Sequence, residues 1–233
     1  MLKALPAQVD LRPHCPPVLN QGQLGSCTAN AIANAHRFDQ IKQGIADHFL
    51  PSRLFIYYNE RVMEESINSD SGAMIRDGIK SIGKQGVCKE LTWPYSDDAT
   101  ANGVFCKKPI DSAYQEALNY QAIAYKRVTH NLSQLKGCLA EGYPFVFGFT
   151  VYESFESEAV AKTGIMPLPL KGDSVVGGHA VLAVGYDDAT QRFTVMNSWD
   201  TTWGDKGFFY MPYAYLVDHH LASDFWVVRT VEV

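Results

Sequence analysis

Residues 21–31 read QGQLGSCTANA and place one cysteine, Cys27, between a Gly-Ser pair and a run of small residues. The segment 26–43 carries apolar residues at helical spacing, and Gly44 follows it as a stop signal. We therefore predict an amphipathic helix over 26–43 with Cys27 in its first turn. Because a helix N-terminus presents N–H groups and a positive potential, it stabilises a thiolate. This position makes Cys27 the candidate nucleophile of the chain.

Composition limits the class of protein. The 233 residues are 46% hydrophobic and 12% aromatic, which is enough apolar material for one substantial core. A formal net charge of -5 makes nucleic acid and anionic membrane surfaces unexpected partners. The longest apolar stretches are far shorter than the ~20 residues that span a bilayer. Residues 1–13 have no long apolar core and do not resemble a secretion signal, and the compartment stays open.

The pattern of hydrophobic residues changes along the chain. Further helices are predicted at about 52–66, 73–84 and 132–141, and strands follow, with a hairpin turn at 187–190. The predicted strands are FVFGFTVY, HAVLAVGYDD, RFTVMNSW, GFFYMPY and DFWVVRTVEV. This segregation predicts an α+β fold in one domain, residues 1–233. Its helix-rich lobe covers about 20–110 and its strand-rich lobe about 1–19 and 111–233, with a site expected in the cleft between them.

The strand-rich half offers a partner for the thiol. Among seven histidines, only His179 follows two glycines and begins an apolar strand, in VVGGHAVLAVGY. Asn197 is predicted on the partner strand of the hairpin, where its amide oxygen can accept the ring N–H of His179 and fix the tautomer. Trp199 and Trp203 are expected to shield this hydrogen bond from water, or to serve only as core aromatics.

Three stretches in this order, NQGQLGSCTANA, GGHAVLAVGY and NSWDTTWGDKGFF, resemble the active-site blocks of the papain and cathepsin family of cysteine peptidases. LPAQVDLRP resembles the start of a mature enzyme of that family, so the resemblance runs from about residue 6 to about residue 210. It implies a papain-like two-lobed fold. The N-terminal lobe would be helical and the C-terminal lobe an antiparallel, β-barrel-like sheet, with the active-site cleft between them.

The resemblance implies a role for each matching residue. Cys27 is the nucleophile, His179 is its ion-pair partner and general acid/base, and Asn197 orients the histidine. The Gln21 side chain and the Cys27 backbone N–H form the oxyanion hole. The implied reaction is hydrolysis of peptide bonds through an acyl-enzyme, as an endopeptidase because no insertion blocks an end of the cleft. It requires neither metal nor organic cofactor.

The resemblance also implies partners and further site residues. We expect a monomer acting on a peptide or protein substrate, and an inhibitory pro-segment outside this chain is compatible with the family. Gly72 and Ala73 are the candidates for backbone pairing with substrate. A second subsite of apolar preference between the lobes is assigned to Met74, Ile75, Gly178 and Ala180.

The chain departs from the family pattern at several positions. Leu24 and Thr28 stand where the motif has a cysteine and an aromatic residue, so the usual first disulfide cannot form. DSGAMIRDG, residues 70–78, replaces the Cys-x-Gly-Gly stretch, and Asp200 replaces a glycine. These differences indicate a divergent, microbial branch of the family.

Other readings of the same residues stay open. The remaining cysteines are taken as small core residues, either reduced or paired in bridges; they are Cys15, Cys88, Cys106 and Cys138. His219 and His220 suggest either a metal site or exposed loop residues, and the absence of a third ligand at convincing spacing favours the loop. The thiol could also serve acyl transfer or amide hydrolysis on a non-protein substrate, and a catalytically silent peptide-binding module is a third possibility.

Overall fold

The computed structural model describes residues 4–232 of the chain. Residues 1–3, part of the stretch examined for a secretion signal, and residue 233, the end of the last predicted strand, lie outside the described residues. The helices are α1 (Cys27–Lys42), α2 (Arg53–Met63), α3 (Ile75–Lys84), α4 (Asp111–Ala117), α5 (Leu132–Ala140), α6 (Glu158–Thr163) and α7 (Tyr213–Val217). The strands are β1 (Gln8–Asp10), β2 (Ala122–Arg127), β3 (Phe145–Tyr152), β4 (Val175–Asp187), β5 (Arg192–Met196), β6 (Phe208–Pro212) and β7 (Ala222–Val231).

The four predicted helices are confirmed as α1, α2, α3 and α5, and the five predicted strands as β3 to β7. The hairpin turn is confirmed too, since Asp187 of β4 pairs with Arg192 of β5 across residues 188–191. Three helices were not predicted, namely α4, α6 and α7. Each has only five to seven residues, too few for a helical period to emerge from the sequence.

The chain forms two compact units. The strand unit comprises the residues up to Leu19 together with Arg127–Val227, and the helix unit comprises Asn20–Lys126 together with the residues from Val228 on. In the sheet, the strand order is β2-β7-β3-β4-β5-β6, and β1 pairs with β4. β4 is the central strand: it is antiparallel to both β3 and β5, and Phe149 of β3 lies opposite its His179.

The core of the strand unit is rich in aromatic rings. Phe147 stacks on Phe225 with ring centroids 5.6 Å apart, and Phe149 meets Phe155 edge to face at 5.2 Å. All four side chains are at most 3% exposed. Full burial of one such ring contributes about 2 kcal/mol, so this cluster is a main source of stability for the sheet that carries His179.

Helix α1 lies at the centre of the helix unit, and twelve of its sixteen residues are buried. The prediction of an amphipathic helix is therefore wrong in its pattern of burial, although the helix itself is confirmed. Its alanines let neighbours approach on every side, and it also buries His36 and Asp39. Burial lowers the pKa of His36 to about 4 and raises the pKa of Asp39 to about 8, so both side chains are neutral near pH 7.

Glycine is required at the end of α3. Gly86 has φ +74°, and a Cβ there would overlap the carbonyl oxygen of Ala117. We expect Gly86→Ala to lower the free energy of unfolding by about 3 kcal/mol, the sum of left-handed strain and a displaced backbone. Gly44→Ala is the matched control: its φ is +73° but no atom lies within 4 Å of the added carbon, so about 1 kcal/mol is expected. Urea denaturation measures both; equal losses would contradict the clash at Gly86.

Candidate active site

Cys27 is the first residue of α1 and is partly exposed. The Ser26 side chain at the N-cap position makes no capping hydrogen bond to the helix. Its Oγ instead lies 2.5 Å from the Tyr95 hydroxyl and accepts a hydrogen bond from Asn30 Nδ2 at 3.1 Å. The positive end of the helix therefore acts on Cys27 without a capping oxygen from Ser26, which favours the thiolate.

Arg53, the first residue of α2, fixes the segment before Cys27. Its Nη1 donates to the Asn20 carbonyl at 2.9 Å and to the Asn30 side chain at 3.1 Å, so it joins this segment to α1. Glu90 holds the other side of the guanidinium, at 2.6 Å from Nη2 and 3.0 Å from Nε. The arginine and glutamate side chains are only 10% and 15% exposed, so the pair is a rigid anchor with its charges compensated.

Tyr95 provides a second anchor. Its ring lies 3.6 Å from the Arg53 guanidinium carbon, and its hydroxyl donates to the Gln21 carbonyl at 2.7 Å. The Gln21 side chain is 8% exposed, and its Nε2 donates to the Leu24 carbonyl at 3.1 Å. An amide nitrogen carries two N–H groups, so this bond uses one of them and fixes the plane of the amide.

His179 and Asn197 are brought together in the strand unit. His179 lies within β4, preceded by four exposed residues of the strand, rather than at its start as predicted. Asn197 lies one residue beyond the end of β5, and its Oδ1 is 2.7 Å from His179 Nε2. The same oxygen accepts the Ser198 backbone N–H at 2.8 Å, which fixes the amide orientation. The predicted hydrogen bond therefore forms, although Asn197 is not itself a strand residue.

Aromatic rings surround this pair. Trp199 stacks on the His179 imidazole with centroids 4.8 Å apart and planes 28° from parallel. Trp203 meets Trp199 edge to face at 5.2 Å, and Phe155 packs against both indoles. Trp199 thus covers the imidazole directly, and Trp203 supports Trp199 from behind.

Burial controls the electrostatics of the imidazole. His179 is 7% exposed and Asn197 1% exposed. Desolvation lowers the pKa of His179 to about 4, although the hydrogen bond that its ring N–H donates to Asn197 opposes this shift. An isolated imidazole in this position is therefore neutral at pH 7, and holding a proton there requires a negative partner.

The predicted substrate-binding residues lie in two segments. Gly72 has φ +72°, and Ala73 and Met74 lead from it into α3, whose first residue is Ile75. Met74 is 55% exposed, whereas Ile75 is 4% exposed. In β4, Gly178 is exposed and Ala180 is buried, on either side of His179.

None of the five cysteines, all within the described residues, forms a disulfide. Burial raises the pKa of Cys15 and of Cys88 to about 12, which keeps both thiols protonated and unreactive at neutral pH.

His219 and His220 are exposed, as the loop interpretation predicted. Within residues 4–232, no three His, Cys, Asp or Glu side chains converge as ligands for a metal ion. No helix in that range is both long and apolar enough to span a membrane.

Sequence reasoning missed the anchors Arg53 and Tyr95. Arg53 lies 33 residues from Asn20, and Tyr95 lies 74 residues from Gln21. Neither residue occurs in a motif, and periodicity does not reveal contacts over such separations. The one available signal was the rarity of a buried arginine, but burial itself could not be inferred at position 53.

A thiol at an open helix N-terminus, and an imidazole held by a buried amide, are the components of a cysteine-type hydrolase. Residues 5–223 match the family model described as papain family cysteine protease. The chain therefore belongs to the papain family of cysteine proteases and is a cysteine peptidase.

Individual relatives agree with this assignment. The solved structure of xylellain, a cysteine protease from Xylella fastidiosa, shares 49% identity with a TM-score of 0.93, covering 98% of this chain and 88% of that chain. A peptidase C1-like protein of Acanthamoeba polyphaga mimivirus is 48% identical over 91% of this chain and 70% of its own length. The cathepsin B-like CP3 of Giardia intestinalis is 29% identical over 84% of this chain and 64% of its own length. The predicted papain-like α+β fold is thereby confirmed.

The low pKa of His179 can be tested in a Cys27→Ala variant, which has no thiolate. We expect His179 to titrate near pH 4 there, and still lower when Asn197→Ala removes the hydrogen bond that raises its pKa. As the pH falls from the usual 6.5 toward 4, the unfolded chain takes up a proton first, so the stability that neutral His179 contributes above pH 6.5 is lost. NMR of ¹⁵N-labelled imidazoles measures the pKa. His36, also near 4, is the buried reference and is assigned through His36→Gln. A value of 6.5 or more for His179 would contradict the effect of burial.

Proposed function

We propose that Cys27 is the nucleophile of this peptidase, that His179 is its general acid and base, and that Asn197 orients the imidazole. The observation that carries the proposal is the 2.7 Å hydrogen bond from His179 Nε2 to Asn197 Oδ1 beneath the Trp199 ring. Because the amide oxygen accepts at Nε2, Nδ1 is assigned to proton transfer. The placement of Cys27 at the first position of α1 supports the thiolate role.

The proposed reaction has two stages. The Cys27 thiolate attacks the carbonyl carbon of the scissile peptide bond, a C–S bond forms, and the carbonyl oxygen becomes negative. The Gln21 side-chain amide and the Cys27 backbone N–H donate hydrogen bonds to that oxygen. As the carbonyl re-forms, the C–N bond breaks, and the proton on His179 Nδ1 passes to the leaving amine.

Water completes the cycle. Neutral His179 takes a proton from a water molecule, whose oxygen attacks the thioester carbon of the acyl-enzyme. The C–S bond then breaks, which releases the carboxylic acid product and restores the thiolate beside a protonated imidazole. The thiolate charge raises the pKa of His179 and offsets the desolvation that would otherwise keep the ring neutral.

The proposed substrate is a peptide or protein cleaved within the chain. Gly72 and Ala73 supply backbone groups for pairing with it. The proposed second subsite takes a bulky hydrophobic side chain, because its assigned residues are apolar or glycine; they are Met74, Ile75, Gly178 and Ala180.

Labelling with an epoxysuccinyl peptide inhibitor near neutral pH tests the nucleophile. We expect one adduct per chain, located by mass spectrometry at Cys27, together with loss of peptide hydrolysis. Burial keeps Cys15 and Cys88 protonated, so they should not react in the folded protein. Cys27→Ala should show neither adduct nor hydrolysis.

Other results of the same experiment would contradict the proposal. Peptide hydrolysis that persists in Cys27→Ala assigns the chemistry to another residue. An unlabelled Cys27 in a protein that binds peptide without cleaving it indicates a silent binding module. Turnover of small amides without turnover of peptides indicates an amidohydrolase or acyltransferase using the same thiolate.

The oxyanion role of Gln21 is testable against a neighbouring glutamine. We expect Gln21→Ala to lower kcat for peptide hydrolysis about 10²-fold, because one donor to the oxyanion is lost. Alkylation of Cys27 by iodoacetamide forms no oxyanion, so its rate should change less than about threefold. Gln23→Ala is the matched control, since the Gln23 side chain in the same loop is exposed, and it should retain the parent kcat. Equal kcat values for the two variants would rule out the assigned role.

A further inference from the structure

The Asp70 carboxylate joins three segments of the helix unit. Both of its oxygens accept the Gly25 backbone N–H, Oδ1 at 3.0 Å and Oδ2 at 2.9 Å. Its Oδ1 also accepts the Tyr57 hydroxyl at 2.5 Å. The Tyr57 oxygen in turn accepts the Gly72 backbone N–H at 3.1 Å. One side chain thus connects the turn before Cys27, helix α2 and the segment that begins at Gly72.

The support beneath Asp70 is rigid. Tyr57 is fully buried, and the Arg61 guanidinium lies 4.0 Å from the centre of its ring. Arg61 is itself fully buried, and its Nη1 donates to the carbonyls of Ile67 at 2.9 Å and Ser69 at 3.2 Å. These bonds fix the backbone immediately before Asp70. The Asp70 carboxylate is therefore held by Tyr57 and Arg61 of α2, whose contacts do not involve the turn at Gly25.

The contact between Asp70 and Gly25 lies where this sequence departs from the family's motifs. Asp70 opens DSGA, which stands in the place of the family's Cys-x-Gly-Gly stretch, and Leu24 stands where the family's motif has a cysteine. Gly25, the residue that Asp70 binds, directly follows Leu24. Two segments that this chain does not link covalently are therefore linked by a carboxylate and a backbone N–H.

We propose that Asp70 is a positioning residue for the peptidase reaction, holding the Gly25 turn that aims Cys27 and, through Tyr57, the Gly72 backbone assigned to substrate binding. This inference rests on the proposed function. Asp70 does not touch the reacting atoms. It acts by fixing the peptide units that precede the thiol, whose displacement by about 1 Å can lower a rate about 10²-fold.

An aspartate suits this position better than its amide. An ionised carboxylate is an acceptor at both oxygens, as the two bonds from Gly25 require. Asparagine offers one acceptor oxygen, so its NH₂ group must face either the Gly25 N–H or the Tyr57 hydroxyl, each of which is a donor to Asp70. Burial raises the pKa of Tyr57, and so does its bond to Asp70, so the phenol keeps the proton that it donates.

The test compares Asp70→Asn, Asp70→Ala and Tyr57→Phe in the full chain, using peptide hydrolysis and the rate of Cys27 alkylation by iodoacetamide. We expect kcat and the alkylation rate to fall together, about tenfold in Asp70→Asn and about 10²-fold in Asp70→Ala. Tyr57→Phe should mainly raise KM, about fivefold to tenfold, because it releases the Gly72 N–H. In the double variant Asp70→Asn/Tyr57→Phe, the combined loss in kcat/KM should be smaller than the product of the single losses, as expected for one network.

Two controls separate positioning from general destabilisation. Ile79→Val removes a methyl group from a fully buried side chain that cannot hydrogen-bond to Asp70 or Tyr57. It should lower the free energy of unfolding by about 1 kcal/mol and leave kcat unchanged. Asp98→Asn removes an exposed carboxylate of the same unit, which accepts the backbone N–H of nearby Thr100, and should also leave kcat unchanged. A kcat and alkylation rate within twofold of the parent in Asp70→Ala would overturn the inference, as would an equal fall in Ile79→Val.

Failure of this inference is distinguishable from failure of the proposed function. If the parent protein is labelled at Cys27 and hydrolyses peptides while Asp70→Ala behaves like it, the nucleophile assignment stands and the role of Asp70 is wrong. If the parent protein itself is neither labelled nor active, the nucleophile assignment fails and the positioning role fails with it.

Discussion

The segment around Cys27 meets one constraint: the N-terminus of α1 is held in place without a hydrogen bond from its own N-cap side chain. A serine at an N-cap commonly satisfies a helix N–H with its hydroxyl, but Ser26 directs its Oγ to Tyr95 and Asn30 instead. The turn must then be fixed from outside. Arg53 does this through the Asn20 carbonyl, and Asp70 does it through the Gly25 N–H. Charged groups with little exposure to water contribute little net stability, but their removal leaves hydrogen-bond partners unsatisfied at a cost.

In the strand unit, the group that has to be held in a fixed orientation is the His179 imidazole. An imidazole that passes protons must keep one tautomer and one orientation, which the Asn197 oxygen provides from the end of β5. Trp199 stacks on the imidazole, and the phenylalanine core packs against the sheet that carries His179. The same burial lowers the pKa of His179. The burial that orients the ring therefore disfavours its charged form. In the proposed mechanism, the negative charge of the thiolate raises the pKa of His179 again and stabilises the imidazolium.

The sequence singled out the residues that we propose to react, but not the residues that hold them in place. Cys27, His179 and Asn197 stand in short stretches whose composition points to a helix start, a strand and a strand end. The pattern of hydrophobic residues predicted both α1 and β4. It predicted that only one face of α1 would be buried, but the small residues of α1 let neighbouring segments pack around most of the helix. Asp70 could be seen only as a departure from a motif. Its contact with Gly25 spans 45 residues and depends on the path of the chain through α2, which no local pattern encodes.

The Gly25 turn and the segment at Asp70 are joined by hydrogen bonds and not by a disulfide, which suits an enzyme that uses a thiol. Thiolates exchange with accessible disulfides, so an exposed disulfide beside Cys27 would be open to attack by thiols. A carboxylate bound to a backbone N–H has no redox state, so the turn keeps its shape whether the surroundings reduce disulfides or not. Desolvation raises the pKa of Cys15 and of Cys88, so neither thiol supplies a competing thiolate at neutral pH. Arg53 and Asp70 thus fix the segment before Cys27 by interactions that thiol chemistry does not disturb.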